Sequence, residues 1–169
     1  MEHFMYDVSV PVFSRALKNL SAVLALGEAN AKERGVDPQV FLMARLAPDM
    51  LHLVKQVQIA CDNAKGATYR LAGREVPSAP DTETTFEELE ARIRKTRDLL
   101  KELKAEEFAD AAERAVVLKM RQGELNFVGL AYLTGFALPN FFFHCATAYN
   151  ILRHNGVPLS KPDFLGRAQ

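Results

Sequence analysis

Apolar residues recur at helical spacing along most of the chain. In the first helical segment they alternate between steps of four and three, which is the spacing of a bundle seam. The residues of this seam are Phe13, Leu17, Leu20, Leu24, Gly27 and Ala31. The whole pattern predicts helices over residues 9–34, 39–44, 48–71, 85–104 and 130–154.

Local signals set the predicted ends of these helices. Gly35 and Gly73 are typical of helix C-termini, and Pro48 suits the first position of the second long helix. Thr84 followed three residues later by Glu87 predicts a capping box at the start of the third long helix.

The helical period breaks between residues 115 and 128. Val117, Lys119, Leu125 and Phe127 lie in short β-favouring runs around Gln122-Gly123, which predicts a β-hairpin. The tail to Gln169 is predicted to be irregular. The chain is therefore expected to form one all-α domain over residues 1–169, a four-helix bundle with a small hairpin inserted before the last helix.

The segment Leu125–Leu152 contains no Asp, Glu, Lys or Arg. It is long enough to cross a membrane, which takes about 20 apolar residues. However, it contains several polar side chains, and its aromatic residues cluster at the centre, at 141–143, instead of forming belts at the two ends. We therefore interpret it as the buried helix of a soluble bundle and expect no membrane partner.

Charge and cysteine usage narrow the function classes. Lys plus Arg equals Asp plus Glu, 21 each, so the formal net charge is zero and no nucleic-acid partner is expected. Cys61 and Cys145 both lie in apolar helical segments, which predicts reduced core thiols and a cytoplasmic location. The first residues lack the layout of a signal peptide.

Two polar residues lie on the inward face of the last helix. At 100° per residue, six positions share a stripe about 80° wide: Leu133, Ala137, Asn140, His144, Thr147 and Ile151. Asn140 and His144 therefore point into the bundle. The second helix offers Asp49 and Gln56, about 20° apart, with His52 further towards solvent.

This geometry predicts a pocket lined by Asp49, Gln56, Asn140 and His144. It also allows a metal site with His144, Asp49 and His52 as ligands, because bundles hold metals between helices with imidazole and carboxylate groups. Structural roles stay open for the same residues. His144 can be a hydrogen-bonded core residue, Asp49 a first-turn acid favoured by the helix dipole, and Asn140 a partner of the carbonyl freed by Pro139.

The last helix is apolar on nearly every side, so its outer aromatic residues need a cover beyond the bundle interior. A homodimer would provide one. No nucleophile-with-base pattern, phosphate loop, dinucleotide-binding turn or Cys-x-x-Cys motif occurs in the chain.

Five stretches resemble an uncharacterised bacterial family of unknown function that is grouped with the DinB/YfiT-like superfamily of metalloenzymes. They are residues 7–13 (DVSVPVF), 46–50 (LAPDM), 56–62 (QVQIACD), 138–144 (LPNFFFH) and 152–158 (LRHNGVP). The resemblance covers about residues 5–166. It implies a DinB-like four-helix bundle that is often dimeric.

The same resemblance implies a ligand set. Typical superfamily members carry three metal-binding histidines, one early in the second helix and a His-x-x-x-His pair in the fourth. This chain reads Asn140-Phe-Phe-Phe-His144, so only the second member of the pair matches, and the second-helix position falls nearest Asp49 or His52. Some superfamily members use the metal in thiol-dependent transfer reactions.

Three hypotheses follow. The favoured one is a bundle that binds a small molecule in the polar pocket without tight metal binding. The alternative is an enzyme of the thiol transferase or hydrolase type that uses His144 and a divalent metal such as Zn or Ni. The third is a purely structural dimeric module.

Overall fold

The computed structural model describes residues 3–120 and 123–166. The described helices before the hairpin are α1 (Phe4–Asp7), α2 (Val10–Glu33), α3 (Pro38–Leu42), α4 (Leu53–Leu71), α5 (Phe86–Lys101) and a 3₁₀ turn (Ala105–Phe108). The hairpin consists of β1 (Ala115–Met120) and β2 (Gly123–Val128). It is followed by α6 (Gly129–Tyr132), a π-helical segment (Leu133–Ala137), α7 (Leu138–His154) and α8 (Lys161–Leu165).

Four long helices enclose the core: α2, α4, α5 and the continuous helix formed by α6, the π segment and α7. Around the bundle, α2 packs beside α5, α5 beside α4, and α4 beside α7, while α7 closes the ring against α2. The predicted all-α four-helix bundle with a hairpin before its last helix is confirmed.

Contacts along the helices give their directions. Ser21 meets Glu90, and Ser14 meets Arg97, so α2 and α5 are antiparallel. The two middle helices run in the same direction, because Asp62 contacts Arg92 and the Tyr69 hydroxyl donates to the Leu99 carbonyl. The last helix, α7, is antiparallel to α4, because Asn140 contacts Asn63 and His144 contacts Gln56. The bundle therefore runs up, down, down, up, and residues 72–85 must cross from one end of the bundle to the other.

The hairpin packs one face on the bundle. Val116 and Leu118 are buried, and they pair with Phe127 and Leu125 of the second strand. Both strands were predicted. Of the predicted turn, Gln122 lies outside the described residues.

The second long helix begins later than predicted, at Leu53 instead of Pro48. Pro48 takes the second position of a turn that the Met50 N–H closes onto the Ala47 carbonyl. Its fixed φ suits that position as well as it suits the start of a helix. The Arg45 guanidinium also donates to the Met50 carbonyl. Residues 48–52 are consequently a loop.

Two further boundaries differ from prediction. The capping box of α5 uses Thr85 and Glu88 instead of Thr84 and Glu87, and the Glu88 carboxylate accepts the N–H groups of both threonines. The tail, predicted to be irregular, forms α8, because the Asp163 carboxylate caps Ser160 at its start.

The last long helix widens just before Pro139. Proline has no N–H to donate to the carbonyl four residues back, and its ring would clash there. The chain instead forms π-type bonds, and the Leu138 N–H donates to the Leu133 carbonyl. Downstream of this segment the uncharged run buries one face, while Phe142 and Phe143 are exposed, so the prediction of a buried helix holds for that face alone. Within the described residues, the helices are too short or too polar to cross a bilayer.

Candidate functional site

A buried imidazole and an amide meet between α4 and α7. The Nδ1 atom of His144 lies 2.7 Å from the Oε1 atom of Gln56. Both residues are almost fully buried, with His144 9% exposed and Gln56 1% exposed. His144 therefore points inwards, as predicted, and contacts the second long helix, α4.

The hydrogen-bond network determines the tautomer of His144. The Nε2 group of Gln56 donates to the Leu51 carbonyl at 2.9 Å, so the amide oxygen faces the imidazole. An amide oxygen can only accept, and Nδ1 of His144 must therefore carry the proton. The ring is then left with a lone pair on Nε2 whenever it is neutral.

Burial keeps the ring neutral. Removal from water disfavours the charged form and lowers the pKa of His144 below its ordinary value of 6.5. Nε2 forms no hydrogen bond with a described residue, and the residue as a whole keeps 9% of its surface exposed. Near pH 7 the group is a hydrogen-bond acceptor of defined orientation.

A second polar pair lies on the same two helices. The Nδ2 group of Asn140 donates to Oδ1 of Asn63 at 3.1 Å. The alternative in which Asn140 bonds the backbone carbonyl freed by Pro139 is therefore wrong. The Nδ2 group of Asn63 is buried and has no partner among the described residues. An unpaired buried donor costs about 1–3 kcal/mol, which a ligand acceptor or an ordered water would offset.

Asn63 was not predicted from the sequence as a residue of the site, although its position in the sequence indicates it. It follows Gln56 by seven residues, which is two helical turns, so both side chains share one face of α4. The two polar groups lie about 10 Å apart along the axis at 1.5 Å per residue.

Asp49 does not share that face, because it precedes α4. The predicted alignment of Asp49 with Gln56 and its predicted first-turn position both required a helix starting at Pro48, and both are wrong. Asp49 is exposed and makes no hydrogen bond or ion pair with the described part of the chain.

His52 lies at the N-cap position of α4 without capping it. Its Nδ1 atom is buried and unpaired within the described residues. Burial and the charges of Arg45 and Lys55 lower the pKa of His52, against a hydrogen bond with the Leu42 backbone that raises it. Within the described residues, no hydrogen bond connects His52 or Asp49 to His144.

The donor set does not fit a resident metal ion. Across residues 3–120 and 123–166, no three His, Cys, Asp or Glu side chains come together in an arrangement that could hold one. Where a His-x-x-x-His pair would place its first ligand, Asn140 uses its amide to bind Asn63. A stable metal site uses three or four such ligands.

Both cysteines are buried free thiols, as predicted. Burial raises the pKa of Cys61 to about 12, against smaller effects of Thr96 and Arg92, and burial also raises the pKa of Cys145. Both thiols therefore stay protonated at neutral pH.

Comparisons with known proteins agree with this fold. Residues 5–165 match the family model described as "Domain of unknown function (DUF1993)". A crystal structure of a DinB family member protein from Shewanella denitrificans is 41% identical, covers 99% of this chain and 94% of its own, and superimposes with a TM-score of 0.93. No curated protein matches the chain. The chain therefore belongs to the DUF1993 family, within the wider group of DinB-like proteins.

Proposed function

We propose that this chain is a single-domain binding protein that holds a small molecule between α4 and α7, without tight metal binding. The single observation that carries the proposal is the His144 ring, which Gln56 holds in one tautomer with its Nε2 lone pair left free. A ligand hydroxyl, amide N–H or thiol would donate to that atom.

The chemistry of the site favours binding over catalysis. A general base works best when its pKa lies near the working pH. Burial moves the pKa of His144 downwards instead, and the neutral amide of Gln56 does not oppose this shift as a carboxylate would. The ring is thus a fixed acceptor and a weak base.

The Asn63–Asn140 pair supports the same interpretation. It places an unpaired amide donor, Nδ2 of Asn63, between the same two helices that hold the His144 acceptor. A ligand that carries both a hydrogen-bond donor and an acceptor would bind the His144 ring and the Asn63 amide together. An acceptor atom of the ligand would take a hydrogen bond from the buried, unpaired Nδ2 group of Asn63.

The proposal predicts a specific nitrogen spectrum for the protein. In long-range ¹H–¹⁵N correlations near pH 7, His144 should show protonated Nδ1 and unprotonated Nε2, and its pKa should lie below 6.5. Titration with phenol and with benzamide should shift the Nε2 resonance of His144. In Gln56→Leu the tautomer should become mixed, and the shift should shrink.

Controls separate specific binding from general solvent effects. His154 is exposed on the same helix and should respond to neither probe. Gln39→Leu, at an exposed position of α3, should leave the His144 spectrum unchanged. Equal shifts at both histidines, or no shift at His144 up to the solubility limit, would contradict the proposal.

The alternative function, a divalent-metal enzyme of the thiol transferase or hydrolase type, rests on the same Nε2 lone pair, which is a competent metal ligand. Metal analysis after supplementation with Zn or Ni decides between the two. Stoichiometric metal that disappears in His144→Ala would favour the enzyme. Metal-free protein in which His144→Ala is only less stable would favour binding alone.

We also propose that the chain forms a homodimer through the outer face of α7. Phe143 on that face is 55% exposed and its neighbour Phe142 is 37% exposed, so two adjacent aromatic rings form an apolar patch for a partner to cover. A second copy suits this face, because the net charge of zero gives two copies no overall repulsion. A cytoplasmic location remains part of the proposal.

Light scattering coupled to size exclusion tests the dimer. The wild type should run at about twice 18.8 kDa, and Phe143→Asp should run as a monomer. Val40→Asp is the matched control, since Val40 is 54% exposed but lies on α3. A wild-type monomer at all concentrations, or equal effects of both substitutions, would refute the interface.

A further inference from the structure

An apolar cavity and a basic groove adjoin each other beside α8. The cavity has a volume of about 140 Å³ and lies between α2, α7 and α8. Its wall is mainly apolar, and its principal residues are Ala16, Leu20, Val23, Phe142, Cys145 and Phe164. We call this space the tail cavity.

The basic groove lies on the other side of α8, between α2 and α5. It has a volume of about 730 Å³ and is lined by three cationic side chains, Arg15, Lys18 and Arg97. None of the three forms an ion pair with a described residue, although the chain as a whole is neutral. The Nε group of Arg97 donates to the Ser14 hydroxyl at 3.5 Å, so that both side chains line the groove together.

The groove contains one carboxylate among its described residues, that of Asp163. It accepts hydrogen bonds from the N–H and the hydroxyl of Ser160 at the start of α8. Three cations against one carboxylate leave the groove positive. An anionic group is the ligand that such a groove attracts.

The two spaces share Arg15, Asn19 and Leu165 in their walls. Because Arg15 lines both spaces, a ligand held in the tail cavity can present a charged group to its guanidinium. We propose that the joined site binds a small amphipathic anion, with a carboxylate or phosphate at Arg15, Lys18 and Arg97 and an aromatic ring in the tail cavity.

The size of the cavity sets the size of the apolar group. An engineered apolar cavity of about 150 Å³ binds benzene, so about 140 Å³ accommodates a single ring or a short acyl chain. A long lipid tail would not fit. The ligand is accordingly of the size of benzoate or phenyl phosphate.

This site is separate from that of His144. Cys145 lines the tail cavity, whereas the preceding residue faces Gln56 on α4, because successive side chains of a helix diverge by about 100°. Failure of one proposal therefore leaves the other standing.

Calorimetric titration with four probes tests the joined site. Benzoate and phenyl phosphate should bind at least tenfold more tightly than neutral benzyl alcohol, because the anions gain charge-assisted hydrogen bonds. They should also bind more tightly than inorganic phosphate, which leaves the tail cavity empty. The better of the two aromatic anions identifies the charged group as carboxylate or phosphate.

Two variants address the two halves of the site. Arg15→Gln should weaken the aromatic anions about tenfold, whereas Lys32→Gln, at an exposed position of the same helix, should not. Ala16→Leu fills the tail cavity and should abolish binding of the rings while leaving inorganic phosphate unchanged. Thermal melts establish that each variant is folded.

Three results would overturn the proposal. The first is equal binding of benzyl alcohol and benzoate, which would show that the cations take no part. The second is unchanged binding of both aromatic anions in Arg15→Gln. The third is the absence of binding by either aromatic anion to the folded wild-type protein.

Discussion

Phe13→Ala is expected to lower the free energy of unfolding by about 3–5 kcal/mol. The Phe13 ring on α2 is fully buried against the equally buried Phe141 ring on α7, with ring centroids 4.9 Å apart and an edge-to-face angle of 83°. Truncation leaves a cavity at the contact between α2 and α7, and the close-packed core cannot collapse to fill it.

Urea denaturation followed by circular dichroism measures this effect. A double-mutant cycle with Phe141→Ala should give a coupling of about 0.5–1.5 kcal/mol for the ring pair. Phe4→Ala is the control, because Phe4 is 47% exposed, and it should change stability by less than about 0.5 kcal/mol. A loss below about 1.5 kcal/mol for Phe13→Ala would show that the ring is not a core contact.

Arg92→Met is expected to cost about 2–3 kcal/mol. The Arg92 side chain is 5% exposed and binds the Pro80 carbonyl and the carboxylates of Glu83, Asp81 and Asp62 at 3.0–3.1 Å. Removing one partner of a buried ion pair costs about 3–5 kcal/mol of stability. We expect less, because Asp62 and Asp81 are 44% and 36% exposed and water screens them.

The reason for this cluster lies in the topology. Because α4 and α5 run in the same direction, residues 72–85 must cross back along a helix of 16 residues, about 24 Å long. Such a crossing has little apolar surface to bury. Arg92 anchors it at three of its residues, Pro80, Asp81 and Glu83.

The same cluster predicts loss of stability in acid. Burial alone would raise the pKa of Asp81 and of Glu83. Lys55 and Arg92 nevertheless lower the pKa of Asp81, and hydrogen bonds from the backbone, Gln58 and Arg92 lower the pKa of Glu83. A carboxyl group with a lowered folded-state pKa stabilises the fold above its unfolded-state pKa and loses that contribution as the pH falls. The wild type should therefore lose stability from about pH 5 downwards.

The acid sensitivity should be smaller in Arg92→Met, which lacks a cation that lowers both pKa values, although Lys55 still lowers that of Asp81. Denaturation at pH 7 and at pH 3 measures the difference. Arg94→Met, at an exposed position two residues along the same helix, should keep the wild-type dependence on pH. Identical pH profiles for wild type and Arg92→Met would show that the Arg92 cluster does not cause the loss of stability in acid.

Most helices could be predicted from the sequence because their signals are local. The seam of Phe13, Leu17 and Leu20 has one helical period, and α2 begins and ends within one residue of the predicted bounds. The start of the second long helix could not be predicted in this way. Pro48 has the same φ in a turn and in the first turn of a helix, so only the surrounding contacts distinguish the two.

For the candidate site, direction could be predicted but partners could not. The helical period of α7 was enough to predict that His144 points inwards, since side-chain direction depends only on the local backbone. Its contact with Gln56, and that of Asn140 with Asn63, depend on how far α4 is shifted along α7. The pocket around these residues stays a prediction.

The sequence by itself determined an uncharged last helix with an inward-facing stripe that includes polar residues, and the hairpin before it. These features follow from periodicity and composition, which act within a few turns of one helix. Only the tertiary structure decided the up-down-down-up order, the anchoring of the crossing by Arg92, and the joining of a basic groove to an apolar cavity at Arg15. Each of these brings together residues far apart in sequence, and their positions depend on how all four helices bury their apolar faces at once.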